Sequence, residues 1–366
     1  MKKLLSLMLA TIMTVSAFIM PTVVTAKESK KTPNSYVATN DVYCFGKGMV
    51  YTKTGRLIYE KKSGKKIVLE KYNWNYDAVY SYYVRGNTVY YLIYKEDRSG
   101  NPKNKSSFKI KSVNLSGKNK TTICSTNASA FLLGGYGSSI IYEETNKKYV
   151  NKIKKINNNN TTTLLTVKGK SSFEMFNGRI YYNNKAYNLK NGKTAKFVAK
   201  EIYVTKNYMY YMNKNNNLKS LDKKGTRRIV AKNVHKYYGA NNGKIVIYSK
   251  LNNNNEEVFY KRTGTDKEYM LCSWSDMEKA IKTPSPLPEK YNYTIYDALF
   301  HKGKVYFEFR ITGDNLQYEK ISRVSNKGGT PEMVLDPNNS YGVYMKLYGD
   351  RLEYGEYMLS DIVVDD

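Results

Sequence analysis

Residues 178–198 read Gly178-Arg179-Ile180-Tyr181-Tyr182-Asn183-Asn184-Lys185-Ala186-Tyr187-Asn188-Leu189-Lys190-Asn191-Gly192-Lys193-Thr194-Ala195-Lys196-Phe197-Val198. Short apolar runs, Ile180-Tyr181-Tyr182, Ala186 to Leu189 and Phe197-Val198, are separated by turn residues. Asn-Gly between apolar runs is the strongest short hairpin signal, and Asn191-Gly192 supplies it. Side chains alternate across a strand, so Tyr181 and Tyr182 send one ring to each face. Aromatic rings on both faces suit a sheet that is packed on both sides.

The opening of this stretch recurs along the chain. A Gly, or an Asn in its place, is followed by an apolar residue and one or two aromatics. The starts are Gly48, Gly86, Gly137, Gly178, Asn207, Gly243, Gly303 and Gly349, spaced 38, 51, 41, 29, 36, 60 and 46 residues apart. Related turns are Ser63-Gly64, Ser116-Gly117, Lys224-Gly225 and Gly328-Gly329. Short strands repeated at this period predict an all-β chain folded as a single β-propeller of eight blades. Seven blades is the alternative, if the final segment completes the first unit. The last unit supplies three strands, and a strand at Tyr36–Ala38 is expected to close the ring as its fourth.

The ends of the chain read differently. Lys2 and Lys3, the apolar run Leu4–Met20 and the small residues Val24-Thr25-Ala26 form a signal peptide over 1–26. The run is too short and too interrupted by Ser and Thr for a spanning helix. Residues 27–35 are a polar, flexible leader, and 36–366 the propeller domain. The mature protein is expected to be secreted, without a membrane anchor after cleavage, and associated with the cell wall.

Net charge is +29, or +27 without Lys2 and Lys3. Such a charge draws a protein to anionic polymers. The lysines are scattered, however, and Lys, Asn, Tyr and Ile are abundant together, which fits a compositional bias. No specific nucleic-acid contact is expected. The column of Cys124, Ala199, Ala231 and Cys272 reads as a small buried slot, where cysteine acts as a small hydrophobe. No disulfide is expected.

Residues that could carry chemistry are few. His235 and His301 are far apart, and no His or Cys cluster has metal-ligand spacing. No phosphate loop, dinucleotide fingerprint or nucleophile elbow is present. No cofactor, metal or catalytic residue is assigned. Glu143-Glu144 and Glu256-Glu257 read as solvated hairpins. Two aromatic groups remain: Trp74 with Tyr72 and Tyr76, and Trp274 with Tyr291 and Tyr293. Each tryptophan follows the last strand of one unit and precedes the first strand of the next. Such rings could stack on a sugar or peptide, or could plug the gap between two blades. Ser275-Asp276-Met277-Glu278 reads as a capping box opening a short helix that runs to Lys282. Pro284, Pro286 and Pro288 then end it.

The carriers of the repeat are Ile180–Gly192, Met209-Tyr210-Tyr211 with Leu221–Gly225, and Val89–Tyr91 with Val113–Gly117. In these the chain resembles secreted propellers of unknown function from low-GC Gram-positive bacteria. They look like distant relatives of the propellers of the low-density lipoprotein receptor. No Tyr-Trp-Thr-Asp quartet occurs here, so that receptor's mode of recognition is not implied, and the resemblance implies no catalytic residues. The expected role is a non-catalytic, monomeric binding or scaffolding protein. Its partner would be an anionic cell-wall polymer, a polysaccharide or a surface protein. The alternative is a propeller-fold polysaccharide-active enzyme, a hydrolase or lyase. A tyrosine-crosslinked coat protein is a third reading, and it requires exposed tyrosines.

Overall fold

The computed structural model describes residues 34–35, 42–97, 106–158, 160–241, 245–263, 267–282, 287, 289–313, 316–337, 342–348, 350–356 and 362–365. The expected signal peptide, the strand at Tyr36–Ala38 and the three prolines lie outside these residues.

Eight antiparallel sheets follow one another along the sequence. In the first, Tyr43–Phe45, Gly48–Lys53, Arg56–Lys61 and Lys66–Lys71 pair in chain order. Ala78–Arg85 opens the second sheet, Ser129–Tyr136 the third, Glu174–Phe176 the fourth and Glu201–Val204 the fifth. Lys236–Asn241 opens the sixth sheet, Asn292–His301 the seventh and Val343–Tyr348 the eighth. Six sheets have four strands, the third has five and the eighth has three described strands. This is the blade pattern of a propeller: each sheet is an up-and-down meander, and the chain is all-β with eight of them.

The turns explain the register. Asn183 and Asn184 both have positive φ, at 41° and 60°, between Arg179–Tyr182 and Lys185–Asn188. Positive φ at both central residues makes the primed turn whose twist matches the strands it joins. One hairpin earlier, Gly86, Gly137, Gly178 and Gly303, with φ +63, +58, +70 and +79, stand in the turn before the aromatic-rich strand, which is the second strand of its sheet. Longer loops are built by a side chain. Asn252 Oδ1 accepts from the amides of Asn254 (2.9 Å) and Glu256 (3.0 Å). Asp222 does the same with Lys224 (2.9 Å) and Thr226 (2.8 Å). The asparagine run at 252–255 is thus a hairpin turn held by its first residue.

By compactness the described residues fall into two units. One runs to Tyr211 and includes Leu221–Thr226; the other holds Met212–Ser220 and the chain from Arg227 onward. In the first unit, the opening strands of sheets one to five contact each other in succession. Its cores lie between neighbouring sheets. One joins Leu57 and Leu69 to Tyr82, Tyr91 and Ile110, and reaches Leu132 and Tyr142. Another joins Tyr181 and Phe197 to Tyr211. In the second unit, Phe259 of the sixth sheet packs on Phe307 of the seventh, with centroids 5.1 Å apart.

Both faces of the strands are therefore buried. Tyr82-Tyr83, Tyr181-Tyr182 and Tyr210-Tyr211 are buried at both positions. Among described residues, the exposed tyrosines of note are Tyr76 and Tyr149. The crosslinked-coat reading lacks the row of exposed rings it requires.

Three sequence expectations change. Trp274–Ala280 is the helix, and Ser273 is its cap: Ser273 Oγ accepts from the Asp276 amide, and Asp276 accepts from the Ser273 amide at 2.8 Å. The box thus starts two residues earlier than the sequence suggested, and the helix stops before Lys282. Asn34–Ser35, expected in a flexible leader, pairs antiparallel with Ser129–Tyr136 and gives the third sheet its fifth strand. Glu257, expected on a solvated hairpin, is 3% exposed.

Candidate functional site

The two aromatic groups have opposite environments. Trp74 is 67% exposed and Tyr76 46%. Both sit on the loop from Lys66–Lys71 to Ala78–Arg85. The loop is a closed turn. The amides of Tyr76 (3.0 Å) and Asp77 (2.7 Å) donate to the Asn73 carbonyl, and Asn73 Oδ1 accepts from Asn75 at 3.2 Å. Its start is pinned to the neighbouring hairpin, where the Tyr72 amide donates to the Gly55 carbonyl at 2.8 Å. Gly55 has φ +68, and a Cβ there would stand 2.5 Å from the Tyr72 carbonyl oxygen and 3.4 Å from Trp74 Cδ1. The indole thus lies beside a residue that must be glycine. Tyr72 is half-buried against the core below, and burial pushes its hydroxyl up to about 12. Tyr72 is an anchor, while Trp74 and Tyr76 face water.

Trp274 is only 6% exposed. Its ring stacks on Tyr293 at 3.6 Å and 6°, and meets Phe309 edge-on at 5.6 Å and 87°. Its Nε1 donates to the Tyr291 hydroxyl at 3.1 Å. The three residues expected as a ligand platform instead fill the space between the sixth and seventh sheets.

Beneath them lies a polar knot that the sequence did not reveal. The carboxylate of Glu257 accepts hydrogen bonds from the hydroxyls of Tyr238 and Ser249. Tyr293 also hydrogen-bonds Glu257, and its hydroxyl is raised first by burial and then by that carboxylate. The neighbouring Glu256 Oε1 accepts from the Ser275 amide at 2.9 Å, and its hydrogen bonds with Ser275 pull its carboxyl down to about 2. These groups hold the helix onto the sixth sheet. A buried carboxylate with this many donors is satisfied, which makes it a structural device.

Related knots recur between earlier sheets. Glu70 accepts from Lys111 at 2.7 Å and from the Tyr91 hydroxyl. Burial pushes Glu70 up, but those hydrogen bonds and the charges of Lys111 and Lys120 outweigh it and leave it below the usual range. Tyr142 lies between Cys124 Sγ (3.6 Å) and Glu144 (3.4 Å). Cys124 is thus half-buried at a polar contact, whereas Cys272 is fully buried and burial pushes its thiol up. No disulfide joins Cys44, Cys124 or Cys272.

Two carboxyls of the first unit move the other way. Burial raises Glu143 to about 7, partly offset by a bond from Thr145, and raises Glu174 to about 8. Glu174 is thus largely protonated at pH 7, while Glu143 titrates around it. Burial raises Glu308 of the seventh sheet well above the usual range, with the charges of Asp297 and Glu319 adding to it. His301 is buried and His235 exposed. Among the described residues no group of three metal-ligating side chains could hold an ion.

No family model and no curated protein matches the chain in sequence. Solved structures do resemble it in fold. One is an oligogalacturonate lyase in complex with manganese, at 11% identity over 61% of this chain and 77% of that one, with a TM-score of 0.40. Another is an uncharacterised protein of Listeria monocytogenes, at 13% identity over 75% and 87%, with a TM-score of 0.41. A third is the β-propeller domain of the Trilobed protease of Pyrococcus furiosus, at 12% identity over 76% and 92%, with a TM-score of 0.39. Enzymes and an uncharacterised protein stand side by side here, and at such distances no activity passes from any of them to this chain.

Proposed function

We propose that this chain is a secreted, non-catalytic binding protein that grips a cell-wall glycan with the loop 72–76. The single observation carrying the proposal is the exposure of Trp74 beside Tyr76 on a turn fixed by its own hydrogen bonds. An indole left in water forgoes the stabilisation that burial would give, and one held on a fixed turn beside a second exposed ring is a feature that binding would explain. Flat rings cover the apolar faces of sugars, and a pre-set turn spares the ordering cost of association. In this reading the eight sheets are blades of one propeller, a rigid frame with the gripping residues on a connection. The leader-like residues 1–26 support secretion, and the net charge left without Lys2 and Lys3, +27, favours anionic wall polymers.

The two-tryptophan composition gives a direct test. Trp274 is buried, so a change in tryptophan emission on adding soluble wall glycan reports Trp74. The expected result is a saturable change in the wild type and none in Trp74→Ala. An unchanged spectrum in the wild type overturns the proposal.

A further inference from the structure

One hairpin of the third sheet breaks a rule that its counterparts keep. It joins Ser139–Thr145 to Val150–Asn157, and the Tyr149 amide donates to the Asn146 carbonyl at 3.0 Å. Asn146 Oδ1 also accepts from the amides of Lys148 (2.9 Å) and Val150 (3.0 Å). A turn of this form needs positive φ at the place of Tyr149. In the described hairpins closed by the same bond that place is held by Gly64, Gly117, Asn216, Gly225, Asn255 or Gly328. Glycine and asparagine take this conformation readily, whereas a bulky side chain there is an outlier. Tyr149 nonetheless has φ 52, and its ring is 49% exposed. A ring half in water gains little from burial to offset the strain. Strain held at one place in a fold is a reason to look there for function.

The surroundings of the ring are cationic. Lys147, Lys148, Lys168 and Lys170 are all exposed. The Gly169 amide donates to the Tyr149 carbonyl at 2.9 Å, and Lys168 stands opposite Val150 in register, so the later lysines are brought to the turn. Lys170 Nζ lies over the Tyr149 ring, 5.8 Å from its centroid. No Asp or Glu occurs from residue 145 to residue 173. Glu143 and Glu144, just before the turn, are half-buried and bonded to Thr145 and Lys154. We infer that this hairpin end is a binding site for an acidic polysaccharide, with Tyr149 as the platform for one charged sugar and the lysines as partners of its carboxylates. A flat ring covers the apolar face of a sugar, and an acidic sugar carries its charge beside that face. Single-stranded nucleic acid fits less well, because it stacks successive bases on several rings. On the third sheet Tyr149 is the one exposed large hydrophobic side chain among the described residues. The inference does not depend on Trp74, and either can fail alone.

The test uses the mature chain and a fluorescein-labelled oligoalginate, a chain of uronic acids, read by anisotropy at low salt. Tyr149→Gly should bind about tenfold more weakly than the wild type, through the loss of one ring contact. It should also melt at or above the wild-type temperature, because glycine relieves the turn. A tyrosine kept only for the fold would give the opposite sign. Lys148→Gln together with Lys170→Gln should weaken binding and flatten its dependence on salt. Each comparison is repeated in Trp74→Ala protein, where the loss caused by Tyr149→Gly should be the same. Equal affinity of the wild type and Tyr149→Gly overturns the inference, and so does a loss seen only while Trp74 is present. Tighter binding of a labelled oligothymidylate of matched charge also overturns it, and assigns the site to nucleic acid.

Discussion

The two tryptophans occupy equivalent places in sequence and opposite places in energy. Trp274 is enclosed by Tyr291, Tyr293 and Phe309. Its removal leaves a cavity and takes from the Tyr291 hydroxyl one of its two hydrogen bonds, the other being with Glu278, so Trp274→Ala should cost about 3–5 kcal/mol in denaturant unfolding. Trp74 is largely in water, so Trp74→Ala should change stability by no more than about 0.5 kcal/mol. Equal losses would refute the assignment of roles. Glu174 makes a second prediction at this scale. Its folded carboxyl titrates at about 8 against an ordinary 4.5. Between those values the folded chain holds a proton that the unfolded chain has released. Stability therefore falls as pH rises through this window. Glu174→Gln should raise the melting temperature at pH 8.5, leave it nearly unchanged at pH 4, and flatten the slope between them. A slope that survives the substitution would assign it to another group.

At the scale of elements, the hairpin Thr54-Gly55 and the Trp74 loop form one device. Both turn residues have positive φ, 44° and 68°. A methyl at Gly55 would meet the Tyr72 carbonyl at 2.5 Å, an impossible contact. Gly55→Ala should therefore destabilise by about 1–3 kcal/mol. It should also weaken glycan binding, because it moves the loop that holds the indole. Binding that survives at full strength would show that the loop's position does not matter. The strands themselves were readable from the sequence, because paired aromatics and Asn-Gly turns act locally. Their order was readable as well, since each meander step is a short hairpin. The fate of Trp274 was half readable. Ser273 with Asp276 three residues on is a cap signal, and it puts the indole in the first helical turn. That Tyr293 and Phe309 would enclose it depends on a strand pairing no local pattern announces. The Glu257 knot was hidden for the same reason. Its donors, Tyr238, Ser249 and Tyr293, come from three strands. The exposure of Trp74 was legible only as one of two options, since the six-residue connection 72–77 can fold inward or outward.

At the scale of the whole molecule, burial does not unbalance the charge. Among the described residues Glu60, Glu70, Asp77, Glu257, Glu319 and Glu353 are buried, against the lysines Lys261 and Lys320. Most of these acids pair with a basic side chain, as Asp77 does with Lys95 and Glu70 with Lys111, so the field around the mature chain is set by its formal +27, the +29 less Lys2 and Lys3. That field acts over about 10 Å at 0.1 M salt and about 3 Å at 1 M. Attraction by charge alone should vanish over this range, whereas ring stacking on a sugar should persist. The decisive measurement is co-sedimentation of the mature protein with insoluble Gram-positive cell walls at 1 M salt, wild type beside Trp74→Ala. Retention of the wild type and release of Trp74→Ala is the predicted result. Release of both, or equal retention of both, would contradict a glycan grip at Trp74.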